Sequence, residues 1–289
     1  MYAVMGITGR VGAVTARTLL DDGKKVRGVV RDRLRAAHWE ARGVEIAVAD
    51  YRDTAALEAA FRDTDGVFIM IPGNFMPSPG YAETREIVAG LRAALEVARP
   101  PKAVYLSSVG AQHPTGLGLI TQLHILEQEL NSLPIPNAFL RAAWFLDNFQ
   151  WDVVSARERG EIASFLFPLD RAFPMVATED IGHLAGKILQ QQWTGNRNPE
   201  IEGPRRYSAL DAGAAFSNLL NRPVQAVPIP REKWPVLFEE TGTPSDRTGP
   251  RVEMLDGFNS GWIDFDPQAK EHLSGSHTLE DVLRGFLKQ

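Results

Sequence analysis

The chain has 289 residues, 44% hydrophobic and 23% charged, the balance of an ordinary globular protein. Its net charge of −5 provides no global basic field for nucleic acid, and no apolar run reaches the roughly 18 residues of a membrane span. The absence of cysteine excludes disulfides, a thiol nucleophile and thiolate zinc sites.

In chain order, Tyr2 to Met5 read as a first strand, followed by Gly6, Gly9 and Gly12 and then by a helix from Val11 to Asp22 that stops at Gly23. A glycine triplet between strand and helix has a physical use. The first glycine permits a sharp turn, the second lets backbone amides approach a phosphate, and the third lets the helix pack close to the strand. The helix N-terminus then offers free N–H groups to an anion. Thr8, Arg10 and Val11 occupy the same turn and complete the expected binding set. The spacing is Gly-x-x-Gly-x-x-Gly, and a tight turn with no ligand would read the same way, so context decides.

The context is regular. Lys25–Arg31, Val44–Asp50, Gly66–Pro72, Lys102–Ser108 and Asn137–Ala143 read as further strands. Continuous apolar runs suit strands buried on both faces of a parallel sheet. Helices are expected over Thr54–Phe61 behind an Asp53 cap, Tyr81–Ala98 before Pro100-Pro101, and Leu117–Leu130 before Pro134. The pattern predicts an α/β fold with a doubly wound parallel sheet, residues 1–150 forming the dinucleotide-binding domain. After residue 150 the rhythm changes. Residues 151–289 read as a mixed segment, part completing the sheet and part forming a smaller substrate lobe. In it "WDVVSARERGEIASFLFP" gives a helix and a strand, and "TEDIGHLAGKILQQ" gives a helix with Thr178 at its cap.

The second strand ends about twenty residues after the triplet, where the dinucleotide fingerprint places its selector. An acid there binds the ribose of NAD, and an arginine accommodates the 2′-phosphate of NADP. Arg31 stands there with Arg33 and Arg35 behind it, so NADP(H) is expected over NAD(H), with Asp32 as the complication. Asp50 ends the third strand, suited to an adenine amine or to capping "DYRD". Ile71 and Pro72 end the fourth, on the adenosine side, and Ser107 and Ser108 end the fifth, near the nicotinamide.

"GITGRVG", the arginine of "GVVRD", "VADYRD", "YLSSVGA" and "FLRAAWFLDNF" together resemble the NmrA-like branch of the atypical short-chain dehydrogenases/reductases. The resemblance covers most of the chain and is strongest to about Gln192. Ile7, where the family usually has alanine, and Asp32 depart from it. It implies a Rossmann fold and NADP(H) binding. It leaves the reaction open among quinone reductases, dye reductases and NADP-sensing regulators, and a tailoring enzyme of an aromatic metabolite pathway is a further reading.

Ordinary enzymes of the larger superfamily use a Tyr-x-x-x-Lys pair to protonate a carbonyl. None of the five tyrosines here has a lysine four residues on. The corresponding helix, "GLGLITQLHILEQELN", offers His124 and Glu127 instead. Relatives carry lysine or histidine four residues before a helix glutamate. Anchoring on Glu127 puts Leu123 there, and a one-residue shift puts His124 there. His124 is the candidate catalytic or ribose-binding residue. A quinone or conjugated aromatic acceptor stabilises charge itself and needs less protein acid, so hydride transfer to it depends on positioning and stacking. Phe75, Trp144 and Phe145, with Phe149 and Trp151, are the candidate substrate contacts, although aromatic residues are also ordinary core.

No metal ligand set is read from the scattered histidines, and Ser107 lacks a hydrolase elbow. The expected partner is a small aromatic or quinone molecule, not nucleic acid or membrane. A homodimer is left open. The amino end lacks a basic region followed by a long apolar core, so no secretory signal is expected, and a reducing cytoplasm is the simplest home.

Overall fold

The structure, a computed structural model, describes residues 1–288. Strands and helices alternate first as β1 (Tyr2–Met5), α1 (Arg10–Asp21), β2 (Val26–Val30), α2 (Ala37–Glu40), β3 (Glu45–Val48), α3 (Thr54–Phe61), β4 (Gly66–Ile69), α4 (Ala82–Ala98), β5 (Ala103–Ser108), α5 (Thr121–Leu130) and β6 (Asn137–Ala142). There follow β7 (Trp144–Phe145), α6 (Val153–Arg159), β8 (Glu161–Ser164), β9 (Met175–Val176), α7 (Thr178–Leu189), β10 (Asn196–Arg197), β11 (Glu200–Glu202), α8 (Ala209–Leu220), β12 (Gln225–Pro228), α9 (Trp234–Glu240), α10 (Gly249–Ser260), β13 (His272–Ser274) and α11 (Leu279–Leu287).

The main sheet runs β3-β2-β1-β4-β5-β6-β11-β13, all parallel, with β10 beside the start of β6. This is the doubly wound Rossmann order, extended by strands from the second half of the chain. Its switch point lies at β1, where the connections reverse direction, and ligands bind outside the carboxyl ends at such a point. Apolar side chains fill both faces. One cluster joins α1 and α7 to the sheet, and the other joins α3, α4 and α5. Gly182 and Gly186, one turn apart, bring the α7 backbone onto α1. A Cβ at Gly182 would stand 2.6 Å from the Val11 carbonyl oxygen.

Two small parallel pairs, β7 with β9 and β8 with β12, lie outside the main sheet. Their cores are aromatic-rich and centre on Phe173, Tyr207, Phe216, Trp234 and Phe238. No helix among the described residues is long and apolar enough to cross a membrane.

Several boundaries differ from the expected ones. β4 ends at Ile69, so Ile71 and Pro72 lie in the loop beyond it. Pairing stops where the chain leaves the sheet, and the Met70 carbonyl accepts the Tyr51 hydroxyl at 3.0 Å instead. β3 ends at Val48, two residues before Asp50. Tyr81 is the left-handed residue ahead of α4 rather than its first turn. Asp53 does cap α3, accepting the Ala56 N–H at 2.9 Å. Thr178 is not the cap of α7. It is the first helical residue, and its N–H and hydroxyl both donate to Asp147, at 2.8 and 2.6 Å. A carboxylate from a distant turn outcompetes the local hydroxyl because it accepts both donors as an anion at the positive end of the helix.

Candidate functional site

The glycine turn has the geometry of an anion cradle. Gly6 has φ +68°, and Gly9 donates its N–H to the Gly6 carbonyl at 2.8 Å. Gly9 is the N-cap of α1, and among the described residues no side chain caps the helix there. The first-turn N–H groups are thus left to an external acceptor. A Cβ at Gly12 would lie 2.3 Å from the Gly6 oxygen, so only glycine lets α1 approach β1. Among the described residues, a Cβ at Gly9 would meet the Gly6 oxygen alone, at 3.3 Å.

Thr8, Val30, Arg31, Asp32 and Arg35 line a cavity of about 250 Å³ beside this turn. Among the described residues, Arg31 and Arg35 have no ion pair or side-chain hydrogen bond. Arg33 does not join them and pairs with Glu40. One Asp32 oxygen accepts the Leu34 N–H at 2.9 Å, closing its own turn. Two unpaired guanidinium groups in a concave site suit a phosphate dianion. Arg31→Ala is expected to weaken NADPH binding by about 1.5–3 kcal/mol and NADH binding little. Paired calorimetric titrations test this, and equal losses would place the 2′-phosphate elsewhere.

The other members of the expected cofactor set have structural partners. Arg10 has side-chain partners of its own. It pairs with Asp147 at 2.7 Å, bonds Gln150 and lies over the Phe286 ring at 4.8 Å. Asp147 thereby holds the cradle arginine and the start of α7 together. The Val11 side chain is buried against α7. One Asp50 oxygen accepts the Arg52 N–H at 3.0 Å.

Ser107 belongs to a buried row. Ser107, Arg141, Glu200 and His272 are register partners across β5, β6, β11 and β13. Ser107 donates to Glu127 at 2.5 Å, and Arg141 donates to both oxygens of Glu127, at 3.0 and 2.7 Å. Burial opposes the Arg141 charge, but the Glu127 hydrogen bonds and nearby carboxylates outweigh it and hold the guanidinium pKa up. Burial raises the pKa of Glu200, whose Oε1 lies 3.7 Å from Arg141 and whose Oε2 has no hydrogen-bond partner among the described residues.

A second cavity, of about 360 Å³, opens where β5 and β6 end. Ser108, Ala143 and Trp144 form its wall on the sheet side. Phe75, Phe145, Phe149 and Trp151 also line it, so the structure brings all five expected aromatic residues together. Two charged lining residues escaped the sequence reading, Asp152 and Arg251. Burial, partly offset by a backbone hydrogen bond at Ala163, pushes the Asp152 carboxyl up to about 6. Its signal was present as a lone acid inside the apolar run "FQWDVV". Arg251 had none, because it reaches the cavity from α10, far along the chain.

His124 lies outside this lining. Its Nδ1 is 2.8 Å from the Ala111 carbonyl oxygen, a contact that needs a proton on Nδ1. Leu123, the alternative occupant of the helix position, packs between two apolar clusters.

The profile of the NmrA-like family matches residues 2–243. The chain belongs to the NmrA-like family. Among its relatives, the NAD(P)H azoreductase of Xenophilus azovorans is 27% identical over 245 residues, spanning 84% of this chain and 82% of that protein. Quinone oxidoreductase 2 of Escherichia coli is 19% identical over 280 residues, spanning 96% and 95% of the two chains. The crystal structure of the Escherichia coli NADPH-dependent quinone oxidoreductase with NADPH superposes with a TM-score of 0.81 at 20% identity. That match covers 99% of this chain and all of the other. The triphenylmethane reductase of Citrobacter sp. gives 0.80 at 19% identity, covering 100% and 99%. The fold is therefore shared over the whole length.

Proposed function

We propose that this protein is an NAD(P)H-dependent reductase of quinone-like or other conjugated aromatic acceptors, with NADP(H) as the preferred cofactor. The observation that carries this reading is the aromatic cavity at the ends of β5 and β6, on the same sheet edge as the glycine cradle and the Arg31–Arg35 pocket. The azo and quinone reductases among the relatives support the reaction class.

The cradle residues suit a dinucleotide: Gly12 has no room for a Cβ, and two arginines have no side-chain partner among the described residues. When bound, the dinucleotide supplies a hydride. The chain positions the acceptor by stacking and excludes water with aromatic walls. The reduced acceptor also needs one proton. Asp152, with its raised carboxyl pKa, is the donor placed in the cavity. His124 has Nδ1 committed to Ala111, which leaves Nε2 for a ribose hydroxyl rather than for acid catalysis.

The test is NADPH oxidation against a panel of acceptors across pH. Quinones should turn over, and simple ketones should not. Turnover should fall as pH rises through about 6, because the acid form of Asp152 is lost. Asp152→Asn should flatten that limb and cost on the order of tenfold, less than a full general-acid effect because a quinone carries charge well. Tight NADPH binding without oxidation by any acceptor would refute the reading and favour an NADP(H)-sensing role.

A further inference from the structure

The aromatic cavity is lined by a cation, Arg251, that forms no ion pair among the described residues. Arg251 projects from the first turn of α10 into the lining. Its guanidinium lies over the Phe238 ring at 4.0 Å and faces the Phe75 ring at 5.7 Å. Among the described residues it has no ion pair and no side-chain hydrogen bond. Other arginines differ: Arg231 is held by Asp256, and Arg206 by Asp264 and Glu202. Burial depresses the Arg251 pKa, and no carboxylate opposes that effect. A half-buried cation kept without a partner in an apolar wall is costly unless a ligand supplies the charge. Its two aromatic neighbours hold the guanidinium in place and leave its N–H edges free.

We propose that the cavity selects acceptors carrying an anionic group, a sulfonate, carboxylate or phosphate on the conjugated system, and that Arg251 binds that group. This rests on the reductase reading and specifies its substrate class. The aromatic walls take the ring system, and Arg251 takes the acid group through a charge-assisted, two-pronged contact. Asp152 is the other ionisable lining residue, and it is neutral in solution more acid than its own titration near 6. The anion therefore meets one cation and no opposing charge under mildly acid conditions. Arg251 acts as a specificity residue, distinct from the proton donor.

Binding can be read without turnover, because Trp144 and Trp151 line the cavity and report an aromatic ligand by fluorescence quenching. Naphthalene sulfonate and the neutral naphthalene sulfonamide are titrated into the protein below the Asp152 titration. The same contrast is repeated in NADPH oxidation with naphthoquinone sulfonate and menadione. The sulfonates should be preferred about ten- to hundredfold. Arg251→Met should erase the preference, and Arg251→Lys should restore part of it, since a point charge replaces the fork. Thermal unfolding checks that both variants are folded. Equal affinity for sulfonate and sulfonamide in the wild type, or an unchanged preference in a folded Arg251→Met, overturns the proposal. A sulfonate preference without reduction of any acceptor supports this anion site and overturns the reductase reading. Reduction without any preference does the reverse.

Discussion

Valine at position 12 is expected to destabilise the protein strongly, whereas valine at position 9 is expected to leave it folded and unable to bind a dinucleotide. The two glycines are three residues apart in one turn, but their surroundings differ. At Gly12 a Cβ would stand 2.3 Å from the Gly6 oxygen, 2.5 Å from the Gly6 carbonyl carbon and 2.7 Å from the Met5 oxygen. All three are backbone atoms, so no side chain can rotate away. α1 would have to lift from β1 and would take its packing against α7 with it. Overpacking ordinarily costs about 1–3 kcal/mol, and a backbone clash of this depth should reach or exceed the top of that range. At Gly9 the only neighbour is the Gly6 oxygen at 3.3 Å, and φ is −101°, which any residue adopts. A branched side chain there projects over the first-turn N–H groups where a pyrophosphate would lie. Denaturant melts and cofactor titrations of both variants separate the two effects. A stable Gly12→Val, or a folded Gly9→Val with undiminished cofactor affinity, would remove the basis for reading the turn as a phosphate cradle.

Arg141→Met should cost about 3–5 kcal/mol of stability, the price of breaking a buried ion pair from one side. Glu127 and Glu200 would both remain buried, at 5% and 0% exposure, with no cation between them. Methionine fills much of the volume, so the loss reports charge rather than a cavity. Exchanging Glu127 for glutamine as well should recover part of it, because one uncompensated carboxylate disappears. Urea titrations of the single and double variants measure the coupling. An Arg141→Met protein within about 1 kcal/mol of the wild type would mean that the row is solvated or already neutral.

The alternation of the first half was legible because each signal is local. Continuous apolar runs at Gly66–Ile69 and Ala103–Ser108 mark buried parallel strands, and Asp53, Gly23 and the Pro100-Pro101 pair punctuate helices through their own backbone chemistry. The glycine turn and the lining arginine after β2 were readable for the same reason: the strand–turn–helix junction and the residue ending the next strand are each local features of the chain. The five aromatic residues were also legible as a group, since four of them fall between Trp144 and Trp151.

What the sequence could not decide depends on contacts between distant segments. Asp147 rather than Thr178 organises the start of α7, because a carboxylate about thirty residues away arrives beside two donors. Ser107, Arg141, Glu200 and His272 form one row only because four strands, drawn from residues 103 to 274, pair in that register. Arg10 was an expected cofactor contact by its place in the turn, and only the fold sets its side chain against Asp147, Gln150 and Phe286. Asp152 looks like any surface acid until the cavity walls desolvate it, and Arg251 like any surface cation until α10 carries it into an aromatic wall. Local backbone preference and hydrophobic period write secondary structure into short stretches of sequence. Desolvation, register and counter-charge are properties of space, and only the folded chain sets them.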